Sequence, residues 1–231
     1  MRAEKLVSFI EKTIENIISI TFLIVLLIGV YMIYDTVYVY NDAGSSLKRY
    51  KPGSGNEIEL QVLSDEVVAW LTIDGTNIDY PIMQAENNIK YLNLNPYGEY
   101  SLAGSIFMDC RCSSDFSDPY SVVYGHHMTQ GLMFGALDAF ADETYFDSHN
   151  KGTLTVDGEP ISFKLVAFLA TDANVDEIFN PTIDADMEAF LSTEADIYRK
   201  DAMTNRLLAL TTCKEPGTTD RTVVVVALEE G

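Results

Sequence analysis

Between Ile17 and Tyr34 the chain reads IISITFLIVLLIGVYMIY, 18 residues without a charged side chain. A helix of that length spans about 27 Å, close to the hydrocarbon thickness of a bilayer. Phe22 through Ile28 is an unbroken apolar run, so no polar face is left to turn toward water. A buried core helix and a cleaved signal peptide are the two rivals. The run is long for either, and no small-x-small pattern directly follows it. Tyr31, Tyr34 and Tyr38 suit a membrane–water interface. The segment is therefore expected to be a transmembrane anchor. Arg2, Lys5 and Lys12 precede it, and no Lys or Arg recurs until Lys48. That asymmetry favours an amino terminus inside and a body outside.

The remainder must fold as an exported body. With 231 residues, the chain has room for one catalytic-sized domain plus an appendage. Apolar residues at 47% and charged residues at 22% exclude a disordered or low-complexity chain. Fifteen Lys and Arg against 35 Asp and Glu leave a net charge of −20. A nucleic-acid partner is excluded on that balance, because a polyanion needs a cationic face to displace its counterions. Three cysteines cannot form a complete disulfide framework. The expected organisation is a short inner terminus (1–16), the anchor (17–34), a linker or loose helix (35–57) and a single extracellular domain (58–231).

Within the body, short apolar segments alternate with turn signals. Val67–Ile73 reads as a strand ending at Asp74-Gly75, with Ile78–Met83 as its return and Pro81 suggesting an edge. Further strands are expected at Ser105–Met108, Ser121–Tyr124, Gly152–Val156, Ile161–Thr171, Arg206–Thr212 and Thr222–Leu228. Asp157-Gly158 marks another hairpin. Val223–Val226 is apolar at every position, so it should be covered on both faces. Helices are sparse: Asn87–Leu94, Met133–Phe140 and Asp184–Lys200, the last with Met187, Phe190, Leu191, Ile197 and Tyr198 along one face. The pattern is mostly β with inserted helices, a barrel or strongly curled sheet.

Two segments carry chemistry. Tyr124-Gly125-His126-His127-Met128 turns from a strand into a loop, and Leu208–Cys213 is an apolar strand delivering a thiol at its end. Arg221 follows eight residues later and opens the Val-rich strand, so Cys213 and Arg221 would face each other across one loop. A nucleophilic thiol needs a base or a cationic field, and a developing oxyanion needs a fixed cation or donors. A buried structural Cys213 with two loop histidines fits the same residues.

The surrounding words decide between these readings. Tyr80-Pro81-Ile82-Met83-Gln84, Asn88-Ile89-Lys90-Tyr91-Leu92, Gly104–Asp109, Tyr124–Met128, Met133-Phe134-Gly135, Leu210–Cys213 and Arg221 together resemble the class B sortases, over about residues 60 to 228. The resemblance implies an eight-stranded β-barrel with inserted helices, including a sizeable helix at Asp184–Lys200. It implies Cys213 as nucleophile, His126 as acid/base and Arg221 as the cation holding substrate or oxyanion. Asn88, Leu92, Tyr124 and Thr211 fall at positions of the family's peptide groove. His126 is preferred to His127 because it directly follows the Gly, and adjacent residues of an extended segment point to opposite sides.

The implied reaction is transpeptidation. An exported protein is cleaved within its carboxy-terminal sorting signal through a thioacyl enzyme, and its new carboxyl end is passed to an amine of a cell-wall precursor or a pilin-like protein. No metal or organic cofactor is implied. Ala209 stands where the family's nucleophile strand carries a Thr, which should alter packing but not chemistry. Cys110-Arg111-Cys112 reads as free thiols in a loop, Asp109, Asp115 and Asp118 as solvated acids, and His149 as part of a turn. A membrane-anchored cysteine protease and a catalytically inactive tethered binding domain are the two competing classes.

Overall fold

The computed structural model describes residues 2–43, 64–213 and 218–229. The 44–57 stretch of the expected linker, with Lys48, Arg49 and Lys51, and Lys214 beside the thiol lie outside the described residues. So does the side chain of Cys213, though its backbone is described.

The amino-terminal unit is one helix, α1 (Arg2–Ala43), longer at both ends than the uncharged run inside it. Its apolar stretch Val7–Tyr40 is the one helix among the described residues long and apolar enough to cross a membrane, and none of it is buried. The hydroxyls of Thr13, Thr21 and Thr36 each donate to the carbonyl four residues back at 2.8 Å. Polar side chains are thereby satisfied inside the helix, as a lipid environment requires. Tyr34 and Tyr38 stack with centroids 6.4 Å apart.

The second unit is built on strands whose alternation and turns are local. β1 (Val67–Ile73) pairs antiparallel with β2 (Asp79–Met83), and β2 runs parallel to β3 (Ile106–Met108). β3 pairs with β4 (Tyr120–Gly125), which lies parallel to β10 (Leu207–Cys213); β10 pairs with β11 (Asp220–Leu228). On the other side of β1 come β7 (Lys151–Val156) and β8 (Glu159–Asp172), and β8 pairs along its length with β11. Among the described residues these eight strands therefore close into a barrel, in the order β11-β10-β4-β3-β2-β1-β7-β8. The β7–β8 hairpin turns on Asp157 and Gly158, both at positive φ (50° and 84°), the geometry a two-residue turn of matching twist demands.

The Val-rich strand is covered twice. After the short helix α2 (Glu143–Ser148) two more helices follow, and Leu207, Ala209, Val223, Val225 and Ala227 pack on Ile178 of α3 (Asp176–Phe179) and on Met187 and Leu191 of α4 (Met187–Glu194). Their alternates Leu208, Leu210, Val224 and Val226, all without exposure, are left for the barrel interior. Ala209 thus occupies an apolar layer, which accounts for the missing Thr as a packing change.

Four expectations need correction. β2 is interior, not an edge; Pro81 is accommodated because the β3 ladder begins only at Ile82, beyond the residue lacking an N–H. Asn87–Leu94 contains only a 3-10 turn at Lys90–Leu92, whereas the expected helical stretch Met133–Phe140 is present as a 3-10 helix at Phe134–Ala141, with Met133 in the short strand β6 (Leu132–Met133). Asp184–Lys200 is not one sizeable helix. α4 lasts eight residues, the backbone turns extended at Ala195, and β9 (Ile197–Tyr198) joins Phe168 and Ala167 of β8. Finally, Asp109 is completely buried, not solvated.

Candidate active site

The ends of β4, β10 and β11 meet at one mouth of the barrel. β4 runs beside β10 with Thr211 opposite Tyr124 and Thr212 opposite Gly125, and the β10–β11 register places Cys213 opposite Arg221. A cavity of about 350 Å³ opens there. Asn88, Leu92, Phe107, Tyr124, His126, Thr211, Thr212 and Arg221 line it, together with Ala173 and Phe179 from the segment after β8. Six of the seven expected site residues thus line one cavity. The seventh, Cys213, follows directly on Thr211-Thr212 in the same strand.

His126 leaves β4 where the chain folds back. Met128 and His127, forming β5 (His127–Met128), pair with β6, and the amide of Phe134 donates to the His126 carbonyl at 3.1 Å. The amide of Met133, itself at φ 50°, donates to the hydroxyl of buried Tyr80 at 3.0 Å, which ties this loop to the core. The ring of His126 reaches the carbonyl oxygen of Leu92 at 2.7 Å through Nε2. A carbonyl only accepts, so Nε2 carries the proton and Nδ1 is the basic nitrogen of the neutral ring. Gly104, at φ 58°, passes directly beneath: a Cβ there would stand 3.0 Å from His126 Cδ2.

His127 is committed elsewhere. Its Nε2 lies 2.7 Å from Asp138 Oδ2, and Asp138 Oδ1 accepts from the Thr222 hydroxyl at 2.8 Å. Arg221 is half-buried, and its Nη1 donates to the carbonyls of Thr218 (3.0 Å) and Asp220 (2.9 Å), which orients the guanidinium. The Thr211 hydroxyl donates to the Val123 carbonyl at 3.3 Å, so this side chain faces the wall through a committed group.

Behind the cavity lies a group the sequence did not single out. Asp109 Oδ2 accepts from the Tyr124 hydroxyl and from Asn88 Nδ2, both at 2.9 Å. Arg111 grips the same carboxylate through Nε (2.8 Å) and Nη2 (2.7 Å). Burial pushes the Asp109 carboxyl up, but hydrogen bonds from Arg111 and Tyr124 outweigh it and hold the acid below its ordinary value. Burial, then the Asp109 charge, keeps the Tyr124 phenol protonated. Cys110 and Cys112 are free thiols, and burial raises the latter's pKa. Asp109 ends the word Gly104–Asp109, but residue type alone does not distinguish a buried acid from a surface one. Phe179, on a helix of four residues, left no signal at all.

The sortase-domain family model matches residues 71–229. Sortase B of Listeria monocytogenes is 31% identical over 163 residues, 67% of this chain and 65% of that protein, so the match spans just under two thirds of the relative's length. Among solved structures, a Streptococcus pyogenes class B sortase involved in pilus biogenesis is 36% identical, with a TM-score of 0.69 over 78% of this chain and 100% of that one. Sortase B from the type II pilus of Streptococcus pneumoniae is 31% identical, with a TM-score of 0.62 over 78% and 99%.

Proposed function

The chain belongs to the sortase family, whose members are cysteine transpeptidases, and from that premise we propose that it cleaves exported proteins within their carboxy-terminal sorting signal and transfers the new carboxyl end to an amine. Cys213 is the nucleophile, His126 the acid/base and Arg221 the cation on the reacting carbonyl. The observation carrying this reading is the cavity wall, where His126 and Arg221 flank the two residues that lead into Cys213. The Cys213 proton passes to Nδ1 of His126, and the thiolate adds to the scissile carbonyl carbon while the oxyanion faces Arg221. Collapse breaks the C–N bond, and His126 returns the proton to the leaving amine, which leaves a thioester on Cys213. An acceptor amine then adds to that thioester, gives its proton to His126 and expels the thiolate.

Asn88, Leu92, Tyr124 and Thr211 form the floor on which the acyl-donor peptide lies, Thr211 through shape and not through its committed hydroxyl. The acceptor is an amine of a cell-wall precursor or of a pilin-like protein; two of the similar solved proteins belong to pilus systems, which supports testing the latter. Residues 17–34 cross the cell membrane with 1–16 inside and 35–57 leading to the catalytic domain outside.

The test uses the full chain in detergent with a library of sorting peptides, with and without amine acceptors, read by mass spectrometry. A thioacyl adduct on Cys213, lost in Cys213→Ala and discharged faster by amine, is expected. Cleavage indifferent to amine makes the protein a hydrolase, and no adduct with any peptide makes it a binding domain; either overturns the proposal.

A further inference from the structure

Asp109 has no exposed surface, yet it is the most heavily bonded acid near the cavity. Its Oδ2 fixes Tyr124 and Asn88, two residues of one cavity wall, from behind. The Asn88 amide cannot turn over, because its Oδ1 accepts from the Cys110 amide at 2.8 Å. On the other side, Arg111 spends its remaining donors across a gap in sequence. Nη2 reaches the Phe179 carbonyl at 2.8 Å and Nη1 reaches Asn180 Oδ1 at 3.1 Å. Phe179 also lines the cavity, from the segment after β8. One carboxylate–guanidinium pair therefore ties Phe179 to Tyr124 and Asn88 without itself lining the cavity.

We propose that Asp109, acting through Arg111, is the positioning residue of the acyl-donor groove and fixes its width for an extended peptide; this rests on the peptide-transfer reading above. The pair grips bidentately, a geometry that constrains angle as well as distance. Asp109→Asn is nearly isosteric but cannot replace the carboxylate. An amide nitrogen at the Oδ1 position faces the Arg111 amide and Nε, and at the Oδ2 position it faces Arg111 Nη2 and Asn88 Nδ2. Donor meets donor either way.

The experiment measures KM and kcat for a peptide the wild type accepts, KM for the amine, and the alkylation rate of Cys213 by iodoacetamide, mapped by mass spectrometry on the full chain. Asp109→Asn is expected to raise peptide KM about ten- to hundredfold, with amine KM and Cys213 alkylation changed less than about twofold. In a Tyr124→Phe background the same substitution should cost less, because one of its two arms is already gone. If Asp109→Asn does not fold, Arg111→Lys, which keeps the charge and loses the fork, is read the same way. A uniform fall in all rates, or an unchanged peptide KM in the variant that folds, overturns the proposal. Failure of the underlying reading is told apart because it appears in the wild type, which would then form no adduct, and it removes this inference as well.

Discussion

At the scale of single residues, the setting of the His126 ring depends on a glycine with no chemistry of its own. A Cβ on Gly104 would lie 2.6 Å from the carbonyl oxygens of both Tyr91 and Leu92, besides crowding His126. Gly104→Ala must therefore displace the carbonyl that orients the imidazole, and it adds left-handed strain of about 1–2 kcal/mol. A lower melting temperature together with at least about a tenfold slower thioester formation is expected from stopped-time mass spectrometry. Arg221→Lys keeps the charge but not the donors aimed at the Thr218 and Asp220 carbonyls, so thioester formation should slow by about a hundredfold with little change in melting. Asp109 makes a prediction in pH. Its folded-state pKa is lowered, so its stabilisation is complete above the unfolded value, about 4, and is lost as pH falls through the folded value. The melting-temperature gap between wild type and Asp109→Asn should stay constant above about pH 5 and narrow below about pH 4. The place of His126 at the cavity and of Cys213 at the end of its strand was legible because each sits in a distinctive word. Asp109 was not, since a sequence records charge but not what covers it.

At the scale of elements, α4 shows how local signals are won and lost. Asp186 accepts from the Ala189 amide at 3.0 Å and caps the helix. Asp186→Ala should cost about 1 kcal/mol, a fall of about 2–4 °C in a domain of this size, and leave peptide KM unchanged. Met187 and Leu191 do face the core as their spacing implies, but Ile197 and Tyr198 are apolar for a different reason, pairing as a strand with β8. A spacing of six residues could not separate those causes. Strands bounded by turn residues, such as β1 and β7, were readable because their β-favouring residues and their punctuation agree. The pairing of β8 with β11, about 50 residues apart in sequence, has no local mark. That pairing is nevertheless the contact that closes the sheet.

At the scale of the whole molecule, the two units differ in what they expose. Val7–Tyr40 contains 34 residues, about 51 Å of helix against about 30 Å of hydrocarbon, so a membrane crossing would require it to tilt or to leave its ends in the headgroup layers. Full-length protein is expected in the membrane fraction of cells, and a chain beginning after Ala43 in the soluble fraction with peptide cleavage intact. Protease added to intact cells should digest the barrel and spare a tag at the amino terminus; the reverse pattern would invert the proposed orientation. Confinement to a sheet of lipid also raises the frequency with which copies of such a protein collide. An ordinary open sheet in that crowd would offer its unpaired margin to every neighbour. Among the described residues each of the eight barrel strands is already paired on both flanks, so the barrel itself gives crowded copies no seam along which to zip.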